Sequence, residues 1–171
     1  RTFAKTTGTM PRMIFPDGLE EPVERKGSAN IIEQKRIIRT ATKKNSEAIV
    51  FECMSLKPEL QFVEANKLVN PNFYVITNVR SDHLDVMGPT ISDSAKYMVA
   101  SIPKSAVLFT AENQILPEIR YKTRKKGIKM VFADTDGVKD NEMENFDYVE
   151  HKENVALALS VIEHLGVDRN V

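Results

Sequence analysis

Short runs of β-branched and other apolar residues alternate along this chain with longer stretches of helical period, and no other feature limits its fold as strongly. The runs at 2–6, 48–52, 73–78, 106–110 and 129–133 are each closed by turn or helix-start residues, the pattern of buried parallel strands. Asn30 precedes Glu33 at capping-box spacing and opens a helix to about residue 44 that turns Ile31 and Ile38 inward. Pro58 suits the first turn of a helix carrying Leu60, Val63 and Leu68. Thr90 and Asp93 form a further capping pair ahead of Tyr97 and Met98, and a helix over 114–126 stops at Gly127, where a left-handed cap costs little. A last helix over 152–165 lines up Val155, Leu159 and Ile162 and stops at Gly166. Strand–helix repetition predicts an α/β fold, a mainly parallel sheet with flanking helices. Residues 10–27, with Pro11, Pro16, Gly18 and Pro22, interrupt the rhythm and read as a long loop, functional or disordered.

The 171 residues suffice for about one domain with a buried core. Lysine plus arginine (24) equals aspartate plus glutamate (24), which argues against a general binder of nucleic-acid backbone. The single cysteine, Cys53, forms no internal disulfide, which fits a reducing compartment. No apolar run approaches the ~18 residues of a membrane span. Arg120, Lys122, Arg124, Lys125, Lys126 and Lys129 precede an acidic stretch over 134–150; this is a solvated face or a site for a polyanion. The scattered methionines read as core filler, and His151 and His164 as surface residues.

In a doubly wound sheet, ligands bind beyond the carboxyl ends of the strands. Polar groups gather at those ends here: Lys5-Thr6-Thr7-Gly8-Thr9, then Glu52, then Asn78 followed by Asp82-His83-Leu84-Asp85. A carboxylate closing the apolar run 48–51 either meets a cation or caps a neighbouring helix. The D-H-x-D cluster suits a divalent metal, although a histidine in a turn also serves to bond backbone. No G-x-x-x-x-G-K-[ST], G-x-G-x-x-G or G-x-S-x-G pattern occurs among the seven glycines.

The strings AKTTGTMPRMI (4–14), ANIIEQKRIIR (29–39), FECMSLKPELQ (51–61) and ITNVRSDHLDVMGPT (76–90) resemble the ligases of poly-γ-glutamate (capsule) synthesis, within the Mur ligase and folylpolyglutamate synthetase superfamily. E-C-M together with N-x-x-x-D-H-x-D-V-M-G is specific to that branch, while D-H-x-D marks the wider superfamily. The resemblance runs over almost the whole chain. It implies that 1–171 is an incomplete Mur-type central domain, P-loop NTPase-like, whose phosphate-binding loop precedes Arg1 and whose C-terminal part follows Val171. The chain by itself is then expected to be inactive.

The implied activity is ATP-dependent γ-amide ligation through an acyl phosphate, with ATP and Mg²⁺ (or Mn²⁺) as cofactors. Metal-dependent phosphohydrolysis and a non-catalytic α/β scaffold are the alternatives. By the resemblance, Glu52 and His83 are metal ligands and Thr7 faces the same ion. Asn78, Asp82 and Asp85 support them, with Asp82 orienting His83, and Asn154 lies near adenine. Arg12 suits a substrate carboxylate by charge and place. Expected partners are glutamate or a growing poly-γ-glutamate and the membrane subunits of a synthase, at the cytoplasmic side of the membrane, with self-association into a homo-oligomer left open. Two departures stand out. Glu150 and His151 occupy the place of the family's H-N pair, and Lys96 is too poorly spaced to be its carbamylated lysine.

Overall fold

The computed structural model describes residues 1–25, 27–144 and 146–168; Lys26 in the 10–27 segment, Asn145 in the acidic stretch and 169–171 lie outside them. The chain divides into two units, Arg1–Asn70 and Pro71–Val171.

The first unit runs β1 (Thr2–Lys5), β2 (Arg12–Ile14), β3 (Glu20–Pro22), α1 (Glu33–Lys43), β4 (Ala48–Phe51) and α2 (Pro58–Val63), which continues as a π-helical turn over Glu64–Val69. Its sheet has the order β3-β2-β1-β4. β1 and β4 are parallel with Lys5 opposite Phe51, whereas β1–β2 and β2–β3 are antiparallel. The expected loop over 10–27 therefore contains two strands of three residues each. Gly18, at φ +84°, makes their turn, and Pro22 ends the outermost strand, where a missing N–H breaks no ladder. Runs this short, broken by prolines, carry no readable alternation.

Phe3, Phe15, Ile37 and Ala41 form the core of this unit, with the two phenyl rings edge-on at 5.3 Å. Helix α1 starts later than expected. The Asn30 carboxamide accepts from Ile32 N at 2.9 Å in a local turn, so the inward face is Gln34, Ile37 and Ala41 rather than Ile31 and Ile38. In α2 and its π turn the buried residues are Gln61, Glu64 and Ala65, while Leu60 and Val63 stay exposed.

The second unit runs β5 (Phe73–Ile76), α3 (Leu84–Met87), α4 (Ile91–Ser101), β6 (Val107–Thr110), α5 (Leu116–Lys126), β7 (Met130–Phe132), α6 (Asp140–Met143) and α7 (Lys152–His164). β5, β6 and β7 pair in that order, all parallel, as a repeated strand–helix–strand pattern requires. Ile76, Val79, Val99, Leu108 and Ile119 pack on one side of β6; Phe109, Ala133, Ala156 and Leu157 form a second cluster.

Two helix ends behave as the sequence predicts: Thr90 caps α4 by accepting from Asp93 N, and Gly127 closes α5 at φ +69°. One cation of the basic run is structural, since Lys126 Nζ donates to the Val99, Ala100 and Ile102 carbonyls at the end of α4. Within α7 the buried pair is Ala156 and Leu157, with Val155 and Leu159 packed beside them. His164 is exposed, yet its ring stands edge-on to Phe73 and Phe109. β4 and β5 are edge strands of their sheets, and Val50 and Val75 are exposed rather than buried.

Candidate functional site

Parallel pairing of β1 with β4 sends both chains out at one edge of the first sheet. Glu52 N extends the ladder by donating to Lys5 O at 3.0 Å. Its carboxylate then turns back, and Oε2 accepts from Thr7 N at 2.6 Å. The loop that carries Thr7 is closed behind it, because Thr6 N donates to Arg12 O and Arg12 N donates to Thr6 Oγ1, both at 2.9 Å. Gly8 supplies a positive φ of +84° just beyond. Thus Glu52 and Thr7, distant in sequence, are brought together.

Glu52 is exposed and its Oε1 makes no hydrogen bond among the described residues. The strand end thus offers a carboxylate oxygen that suits a hard cation, on a loop that also carries the Thr7 hydroxyl. No group of three or more His, Cys, Asp or Glu side chains that could hold a metal occurs among the described residues. Such a donor set fits Mg²⁺, which typically takes one or two carboxylates and completes its shell with water and phosphate oxygens.

Beneath this edge lies an ion-pair cluster that the sequence reading did not isolate. The side chain of Lys5 is fully buried, and its Nζ sits 3.2 Å from Glu33 Oε1. Arg25 forks onto the same carboxylate, Nε to Oε2 at 2.7 Å and Nη2 to Oε1 at 3.0 Å. The Arg25 hydrogen bond, helped by Lys5, holds the Glu33 carboxyl below the usual range, while Glu33 raises the Arg25 guanidinium. Period-two alternation was the available signal, because Lys5 shares a strand face with the buried Phe3.

A second carboxylate fixes the segment after Glu52. Buried Glu64 accepts from Ser55 Oγ at 2.6 Å, Gln34 Nε2 at 2.7 Å and Met54 N at 3.4 Å. Cys53 is exposed as a residue, yet its Sγ lies 3.8 Å from both Ser55 O and Glu64 Oε2. Burial of the thiol, reinforced by the Glu64 charge, pushes its pKa up to about 11. It is a protonated thiol at neutral pH and no nucleophile.

Arg12 is not a free fork: its Nε donates to Glu20 Oε2 at 2.6 Å across the β2–β3 hairpin, with both side chains part-exposed.

In the second unit, Asn78 and Asp82 are exposed in the loop after β5. His83 stands immediately before α3 at φ +51°, a left-handed conformation that histidine adopts at some cost, and its carbonyl accepts from Val86 N and Met87 N. Its Nε2 is 3.6 Å from Asp82 Oδ2, within ion-pair range but too long for a hydrogen bond. The expected orienting bond is therefore absent in this conformation. Asn154, in the first turn of α7, donates through Nδ2 to Glu150 Oε1 at 2.8 Å. Glu150 also accepts from His151 N, the larger cause of a carboxyl pKa below the ordinary range, with Asn154 second.

The same strand-end rule that singled out Glu52 applies to Glu112, two residues past β6, and was not used there. Glu112 is buried and its oxygens accept from Val79 N at 2.7 Å, Gln114 N at 2.7 Å and Ile115 N at 3.4 Å.

Residues 1–168 match the model of the Mur ligase middle domain. The chain is 39% identical over 171 residues to "Capsule biosynthesis protein CapB" of Bacillus anthracis, covering 98% of this chain and 37% of that protein. It is 37% identical over 170 residues to "PGA synthase CapB" of Bacillus subtilis (strain 168), covering 98% and 43%. The chain thus spans about two fifths of the length of these relatives. Among solved structures, the folylpolyglutamate synthase of Thermotoga maritima matches with a TM-score of 0.59 at 17% identity, over 98% of this chain and 48% of that one. A mutant L. casei FPGS matches at 0.50 and 15%, over 78% and 38%. At such identities the likeness is one of fold. With the family model running from the first residue almost to the last, the chain belongs to the Mur ligase family.

Proposed function

We propose that the full-length protein is an ATP-dependent ligase that joins glutamate units through γ-amide bonds, and that residues 1–171 act in it as part of a Mur-type central ATP-binding domain. The observation that carries this reading is the identity of 39% and 37%, over 98% of the chain, to two proteins named for capsule biosynthesis and PGA synthesis.

In such a reaction a glutamate carboxylate attacks the γ-phosphorus of ATP, ADP leaves, and an acyl phosphate forms. The amine of a second glutamate then adds to the acyl carbon, loses a proton, and expels phosphate. Both steps bring anions together, so the protein must supply cationic or polar stabilisation. Mg²⁺ or Mn²⁺, when bound, would neutralise phosphate charge at this point. Glu52 and Thr7 are its proposed oxygen donors on the first unit. His83, with Asp82 and Asn78 nearby in sequence, is a proposed imidazole ligand for a divalent metal. Asn154 is assigned to the nucleotide base, and Arg12 to a substrate carboxylate in exchange for Glu20. Glutamate or a growing poly-γ-glutamate is the proposed substrate, membrane subunits of a synthase are proposed partners, and the cytoplasmic side of the membrane is the proposed location. No helix of the described residues is long and apolar enough to cross one.

The test is to incubate full-length protein with glutamate, ATP and Mg²⁺. ADP, phosphate and new γ-amide bonds in equal amounts support the reading. Phosphate release without amide formation overturns it in favour of hydrolysis.

A further inference from the structure

We propose that Glu112 is a positioning residue that ties the loop after β5 to the loop after β6 and so fixes the segment carrying Asn78 and His83. The inference rests on the proposed function for the value of that segment, but its geometry stands independently.

β5 and β6 are adjacent parallel strands with Ile76 opposite Thr110, so both loops leave the sheet at one edge. Glu112 bridges them: Oε2 accepts from Val79 N on one loop, and Oε1 accepts from Gln114 N and Ile115 N on the other. Its own N–H donates to Thr110 Oγ1 at 3.1 Å, which holds the bridge in place. Glu112 is 2% exposed and Val79 is 1% exposed, so water is a poor substitute at either end. A buried N–H that loses its acceptor is costly, and the backbone moves to find another. The Val79 side chain belongs to the core around Ile76 and Val99, so its N–H and its side chain together fix the residue four positions before His83.

Glutamate is required by the count of acceptors. All the donors are backbone N–H groups, and they approach both oxygens. Glutamine keeps the length but turns an NH₂ toward one loop, so one side of the bridge fails. Aspartate keeps two acceptors on a shorter reach. No cation is needed, and none pairs with Glu112 among the described residues.

The experiment compares full-length wild type with Glu112→Gln and Glu112→Asp by amide hydrogen exchange and by ligation kinetics. In E112Q, exchange at Val79 and across 77–84 should quicken about tenfold or more while the β1–β4 amides keep their protection. The kcat/KM for ATP should fall by about tenfold or more, with E112D recovering part of both losses. Unchanged exchange over 77–84 in folded E112Q overturns the proposal. So does unfolding of both variants, which would make Glu112 a global rather than a local support. If wild type forms no γ-amide bond, the proposed function fails while the exchange data still decide the role of Glu112.

Discussion

The backbone N–H of Thr7 donates to Oε2 of Glu52 at 2.6 Å, across the exits of two parallel strands. This one bond fixes a carboxylate at a sheet edge while leaving its second oxygen toward solvent. Glu52→Gln retains an acceptor for Thr7 N but loses the charge; Glu52→Ala loses both. Each should reduce γ-amide formation by the full-length protein more than about 100-fold if the charge holds a cation. Urea unfolding should stay within about 1 kcal/mol of wild type, since Glu52 is exposed. Activity near normal in E52Q would reduce Glu52 to a loop anchor.

Lys5 has no exposed side-chain surface, and Glu33 is its counter-charge. Glu33→Gln should therefore destabilise the protein by about 3–5 kcal/mol, the cost of leaving a buried charge unpaired. The pH dependence follows from the lowered Glu33 pKa. The contribution is whole above the unfolded-state value of about 4.3, and it is lost as pH falls through the lower folded-state value. Denaturant titrations at pH 7 and at pH 3 should differ for wild type, and the difference should shrink in E33Q.

Cys53 should resist alkylation. With a pKa of about 11 it is almost wholly protonated at pH 7.5, so iodoacetamide should modify it far more slowly than a free thiol, faster as pH approaches 11. Glu64→Gln removes the second cause of the shift and should speed the reaction at fixed pH. Rapid modification of the wild-type protein at pH 7 would contradict the placement of its sulfur.

His83 holds φ +51° without being glycine. Glycine there relieves backbone strain at the cost of greater freedom in the unfolded chain, so His83→Gly should leave thermal stability unchanged or raised by about 1 kcal/mol. Ligation should be lost nonetheless. A stability loss with activity retained would make the imidazole structural.

The elements with strong period came through from the amino-acid pattern alone: the strands around 49, 75, 108 and 131, the Thr90 cap and the Gly127 stop. What failed did so for local reasons. The β2–β3 hairpin is built from three-residue strands among prolines, too short for a periodic signal. Helix α1 slips its inward face because Asn30 spends its side chain on a turn and Glu33 faces cations rather than a cap. Leu60 and Val63 stay out because the π turn places Glu64 and Ala65 inward. For the site, Glu52 was readable as a carboxylate closing an apolar run. Its partner Thr7 N was not, since a backbone donor leaves no mark in composition. Glu64 was equally hidden, because a buried carboxylate served by neutral donors looks in sequence like any surface glutamate, whereas Glu112 follows a strand end as Glu52 does.

The central claim is that the Glu52 strand end holds a divalent cation. Crystals of the full-length protein with Mn²⁺ and a non-hydrolysable ATP analogue test it directly, by anomalous scattering at the manganese edge. The account requires a peak about 2.0–2.2 Å from a Glu52 carboxylate oxygen, with the Thr7 hydroxyl beside it. A fully occupied manganese peak bound elsewhere, with Glu52 still facing solvent, would contradict it.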